Sequence, residues 1–95
     1  MRFVVHCLDK PEALSLRLSN YEAHKDYLAS GKVATVVSGP LVADDLETMI
    51  GSLFIFEAAS KDEVVAFNRA DPFTQAGVWE TVTIHPFLMR VDNRS

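Results

Sequence analysis

Cysteine occurs once, at Cys7, so no internal disulfide can staple this chain, and the usage suits a reducing compartment. Long apolar runs are missing too. The charge-free stretches, such as Phe3-Val4-Val5 and Leu53-Phe54-Ile55-Phe56, fall far short of the roughly 20 residues that a membrane-spanning helix needs. The apolar run before Asp9 is too short for the core of a signal peptide. Basic residues are in the minority: nine Lys and Arg against thirteen Asp and Glu give a net charge of −4. That balance argues against a phosphate-backbone footprint. The three histidines, His6, His24 and His85, are scattered, with no His-x-x-x-His or Cys-x-x-Cys spacing. The expectation is a cytoplasmic chain with no bound metal, no cofactor, no nucleic-acid partner and no membrane span. No repeat, linker or low-complexity stretch divides it, so residues 1–95 read as a single domain.

What is present is apolar material. It makes up 48% of 95 residues, enough to repay the entropy of ordering one small domain. A chain this short buries only about 60–65% of its unfolded surface, so self-association would add stability.

Residues 2–8 are β-branched and aromatic, apolar on both faces, and stop at Asp9-Lys10-Pro11: a buried strand. From Pro11 the period changes. Leu14, Leu18, Tyr21 and Leu28 fall on one side of a helical wheel, and Gly31 stands where a left-handed stop is wanted. These features predict one helix over about 12–30, with the leucines inward. Residues 32–38 read as a strand ending at Gly39-Pro40, residues 41–49 as a polar connection, and 51–57 as the strand returning antiparallel. Ser60-Lys61-Asp62-Glu63 is a capping box for a helix over 61–70. Asp71-Pro72 ends that helix and 72–77 make a turn. A last strand runs over 78–91, with Pro86 marking an edge or bend, and the tail 92–95 is expected to fray.

Strand, helix, strand, strand, helix, strand is the order of a ferredoxin-like α+β sandwich: a four-stranded antiparallel sheet with two helices on one face. The other face is apolar and bare. Such a face is rarely left in water, so a homodimer packed sheet to sheet is expected, open to higher assembly.

Several residues could carry chemistry. Arg17, Tyr21 and His24 share the border between the apolar and polar sides of the first helix. A half-buried imidazole there titrates near neutral pH and can move protons. Asp71 sits at a helix C-terminus, where a carboxylate is electrostatically misplaced; meeting His24 would give it a second role. Ser38 and Gly39 end a strand where backbone amides could hold an oxygen. Cys7 reads as a buried, inert thiol, and Asp44, Asp45 and Glu47 as a solvated loop. Equally, His24 and Asp71 could be a structural pair bracing two helices.

The motifs Arg17-Leu18 with His24, Gly39-Pro40, Gly51-Ser52, Asp71-Pro72-Phe73, Ala76-Gly77-Val78 and His85-Pro86-Phe87 occur in an order that resembles the YciI-like (YCII-related) proteins across nearly the whole chain. The resemblance implies a dimeric α/β barrel whose pocket brings a histidine and an aspartate together, at His24 and Asp71 here. One class of that family removes HCl from chlorinated hydroxyquinols, and muconolactone isomerases share the wider fold, although a fold does not transfer a reaction. Two functions are therefore expected to compete. One is a cofactor-free enzyme that takes a proton from a small oxygenated, perhaps aromatic, compound, with His24 as base, Asp71 as its orienter, and Arg17, Tyr21, Ser38 and Gly39 around the substrate. The other is a dimeric ligand-binding or assembly module without turnover.

Overall fold

The computed structural model describes residues 1–94. Eight elements follow one another: β1 (Arg2–Asp9), α1 (Leu14–Ser19), α2 (Tyr21–Leu28), β2 (Ala34–Val42), β3 (Met49–Glu57), α3 (Lys61–Arg69), α4 (Pro72–Ala76) and β4 (Trp79–Phe87). The strands form one antiparallel sheet in the order β2-β3-β1-β4. This is the ferredoxin-like α+β arrangement the element order implies. Phe3, Val5 and Cys7 of β1 and Phe54 and Phe56 of β3 are buried together with Val64, Phe67 and Phe73 from the helical layer. Each fully buried phenylalanine contributes on the order of 1.5–3 kcal/mol relative to exposure.

Among the described residues, no helix covers the opposite sheet face. Val4, His6 and Leu8 alternate with the buried positions of β1, and they pair in register with Ile55, Leu53 and Gly51. Among the described residues, no helix is long and apolar enough to cross a membrane.

The first helix differs from its expectation in two ways. It is broken at Asn20, whose φ of −107° and ψ of 5° lie outside the helical well. Its side-chain amide donates to the Leu16 carbonyl at 2.8 Å, so the side chain competes for a helical acceptor. The inward face is also reversed. Leu14, Leu18 and Tyr21 are exposed, at 44%, 58% and 49%, whereas Arg17 and His24 are buried, at 4% and 7%. Both buried groups have partners distant in sequence, which a wheel cannot show. At the helix start, Glu12 takes a φ of 62°, which bars helix before Leu14.

Ser60 caps α3 as expected, its hydroxyl accepting the Glu63 amide at 3.3 Å. Residues 72–77 are a short helix rather than a turn. Asp71 is its N-cap, Pro72 occupies the first turn, and Gly77 closes it with a φ of 77°. Strand β2 continues through Gly39-Pro40 to Val42 instead of stopping at Ser38, because an edge strand tolerates a missing amide. Strand β4 stops at Phe87, which pairs with Arg2, the first residue of β1. Beyond it, Arg94 bonds Asp92 and the Val36 carbonyl. Ser95, part of the tail expected to fray, lies outside the described residues.

Candidate active site

The break at Asn20 starts α2 so that His24 turns under the helical layer. Its Nδ1 lies 2.8 Å from Asp71 Oδ1. Asp71 is 2% exposed, and the same oxygen accepts the Phe73 amide at 2.8 Å. The carboxylate is therefore clamped by the helix it caps. That resolves its apparent misplacement at the end of α3: it stands at the N-terminus of α4, where a negative charge is favoured. With Asp71 ionised, Nδ1 carries the proton and donates it, and Nε2 presents its lone pair. Among the described residues Nε2 has no hydrogen-bond partner, and it is not sealed from solvent. The ring is held flat on Phe73, with centroids 3.9 Å apart and planes 6° from parallel, and edge-on to Phe54 at 5.8 Å. Phe73 in turn meets Trp79 edge-on at 5.9 Å.

Arg17 is fixed as tightly. Its Nε donates to Asp9 Oδ2 at 2.9 Å and its Nη2 to Asp9 Oδ1 at 2.8 Å. Nη2 also donates to Ser52 Oγ at 2.9 Å. The guanidinium carbon lies 5.0 Å from the Phe73 ring centre, within cation–π range. Two hydrogens remain on Nη1, which has no protein partner among the described residues and is likewise not sealed off.

Both groups border one cavity of about 230 Å³. Its walls include Leu28, Pro40, Met49, Phe54 and Phe73; Ser38 and Ser52 add hydroxyls, and exposed Tyr21 and Lys25 form a rim. Of the residues singled out in the sequence, Arg17, Tyr21, His24, Ser38 and Gly39 border this space. Asp71 stands behind His24 and does not. Sequence reasoning missed the structural parts of the site: Asp9 as partner of Arg17, Ser52 as its second acceptor, Phe73 as the plate under His24, and Lys25 and Met49 as walls. Ser52 carried a readable signal, since it sits two residues before Phe54 on the inward side of an otherwise apolar strand.

Cys7 lies in the core behind the pair. Burial, reinforced by the Asp71 charge, pushes its thiol up to about 12, which makes it a poor nucleophile. Among the described residues no group of three or more His, Cys, Asp and Glu is placed to hold a metal. His6 and His85 are exposed, on strands β1 and β4.

A second, shallower hollow of about 400 Å³ adjoins the first. It is lined by Asp9, Lys10, Glu12, Thr48, Glu80 and, again, Met49, among others.

Comparison with known proteins agrees with this fold. The model of the YCII-related domain matches residues 1–88. Protein YciI of Escherichia coli is 34% identical, over 92% of this chain and 96% of that protein, and Protein YciI of Shigella flexneri matches equally. The solved 5-chloro-2-hydroxyhydroquinone dehydrochlorinase of Burkholderia phenoliruptrix, in complex with 2,5-dihydroxybenzoquinone, superposes with a TM-score of 0.80. It is 36% identical over 93% of this chain and 94% of that one. A NIPSNAP domain protein of Burkholderia xenovorans shares the fold alone, at 13% identity and a TM-score of 0.51, over 98% of this chain and 100% of that one. Residue order, sheet topology and these matches converge: the chain belongs to the YCII-related domain family.

Proposed function

We propose that this protein is a cofactor-independent enzyme that removes a proton from a small oxygenated compound, leading to elimination or isomerisation. The observation that carries the reading is the His24–Asp71 contact at 2.8 Å, with the other imidazole nitrogen unpartnered beside a cavity. Asp71 holds the tautomer and stabilises the imidazolium that forms. His24 Nε2 takes the proton. Arg17 Nη1 or the Gly39 amide faces the oxygen on which negative charge develops. A positioned base contributes about 10²–10⁴-fold, and the apolar walls orient the substrate and exclude water. The cavity has the size of a single substituted ring. The Burkholderia relative, 36% identical, is a dehydrochlorinase whose structure carries a dihydroxyquinone. In such an elimination the base receives a proton from the substrate, the electron pair moves into the ring system, and chloride leaves with the bonding pair of its carbon. The net loss is HCl, and no oxidant is consumed.

Incubation with 5-chloro-2-hydroxyhydroquinone, with chloride release followed directly, tests the reaction. Turnover is expected, with His24→Gln lowering it ~10²–10⁴-fold while the melting temperature stays close to wild type. Full activity in that variant would remove His24 from the mechanism.

The same reading includes a homodimer built on the bare sheet face. Partly buried Val4, Leu53 and Ile55 and exposed Leu8 lie there in register, and an apolar sheet face of this kind favours a partner. Sedimentation of the purified protein checks it: a single species at the monomer mass rules the dimer out.

A further inference from the structure

Charge is distributed unevenly around the site. The chain carries −4 overall. Yet the charged side chains bordering the inner cavity are Arg17 and Lys25, with the titratable imidazole of His24; among the described residues, no carboxylate borders it. The neighbouring hollow is the reverse, with Asp9, Glu12 and Glu80 against Lys10. The boundary between them contains the Arg17–Asp9 ion pair itself, since Arg17 borders the inner cavity and Asp9 the outer hollow. The pair is 4% and 7% exposed at its side chains, so it acts as a fixed dipole whose positive end faces inward. Ser52 locks the orientation from the inner side. A chain with a negative total charge repels anions at long range; only a local arrangement of this kind makes a pocket receive one.

From this arrangement we infer that the inner cavity selects ligands that already carry a negative charge on oxygen, as a carboxylate, an ionised phenol or an enolate. The oxygen sits on the free Nη1 hydrogens of Arg17, and Lys25 at the rim, its ammonium paired with Glu22 at 3.2 Å, adds only a screened attraction on entry. Charge-assisted bonds of this type are roughly twice as strong as neutral ones. The ring of the ligand lies against Leu28, Phe54 and Met49. This inference rests on the cavity being the ligand site of the proposed enzyme. It adds that the substrate is charged before any proton is taken, so the base removes its proton from a molecule whose first negative oxygen is already neutralised.

Benzoate and benzamide have nearly the same shape and differ in charge at pH 7. Titration calorimetry with each, on the native protein at low salt, tests the selection. Benzoate is expected to bind at least ~10-fold more tightly than benzamide. Lys25→Gln, an exposed change, should weaken benzoate by about 2–3-fold and leave benzamide unaltered. Ser38→Phe, which fills the cavity from an exposed strand position, should abolish both; retained benzoate binding there would place the anion elsewhere and overturn the assignment. Equal affinities for the two probes overturn the charge selection and leave the acid–base reading standing, since that depends on the His24→Gln turnover measurement. Binding of neither probe overturns the inference and removes the cavity as a site for single-ring ligands.

Discussion

Two hollows share a wall made of Met49 and the Arg17–Asp9 ion pair, and they differ in almost every physical respect. The inner one holds about 230 Å³ between aromatic and aliphatic side chains, and its charges are cationic. The outer one, about 400 Å³, carries the carboxylates Asp9, Glu12 and Glu80 against the single cation Lys10. Volume alone would favour the outer hollow as the place where something binds. Chemistry favours the inner, because there a clamped imidazole and a clamped guanidinium converge on an apolar surface. A site is made by the groups whose orientation is fixed, and each of these groups is fixed by a partner the ligand never meets: Asp71 behind His24, Asp9 behind Arg17.

The contrast can be broken by substitution. Removing the buried charge has the largest expected effect. Arg17→Met should cost about 3–5 kcal/mol in chemical denaturation, because Asp9 is left buried without its cation. Adding Asp9→Leu should restore most of that loss, and a double variant no more stable than the single one would show that the pair is not what holds this wall. Next comes Gly51. A β-carbon there would lie 2.2 Å from the Cys7 carbonyl oxygen, a backbone atom that cannot swing away. Gly51→Ala should therefore cost about 1–3 kcal/mol by the same measurement. Met49→Ala removes the shared side chain and joins the hollows. Its expected signature is selective: 2-naphthoate should gain affinity several-fold relative to benzoate, as a flexible thioether that limited length is cut away. The outer rim should matter least. Glu12→Gln and Glu80→Gln should each change stability by no more than about 0.5 kcal/mol and leave benzoate affinity within twofold. A large loss from either would mean that the two hollows act as one.

A pH dependence follows from the core behind the inner cavity. Burial raises Cys7 from its usual 9.0 to about 12 in the folded chain. A raised value means that its stabilising contribution is complete below pH 9 and is lost as pH rises from there toward 12. Denaturation midpoints should fall across that interval, and Cys7→Ala should flatten the fall. Below pH 8, iodoacetamide should modify the thiol only as fast as the chain unfolds.

Much of the architecture was legible in the residues. The change of period at Pro11 and the capping box at Ser60 gave the element order, and the order implied the sheet. His24 and Asp71 could be named because each was slightly out of place, one at a helix border and one at the wrong helix end. What was not legible had long-range causes. The wheel placed Leu14 and Leu18 inward by their hydrophobicity, whereas Arg17 and His24 point inward because Asp9 and Asp71 satisfy them there. No periodicity within a helix records a partner on another element. The break at Asn20 escaped because a backbone departure at one residue leaves no mark on the hydrophobic spacing. The helical nature of residues 72–76 escaped because Asp-Pro reads equally as a stop and as a cap followed by a first turn.

Trp79 is the sole tryptophan of the chain. It is 7% exposed, and among the described residues its indole nitrogen has no hydrogen-bond partner. It also meets Phe73, the plate on which His24 lies, and so stands one ring away from the imidazole. The molecule thus contains a built-in optical reporter whose emission, blue-shifted by its dry surroundings, comes from a single place. Any guest that moves Phe73 alters that light, so occupancy of the pocket can be followed in real time without attaching a dye.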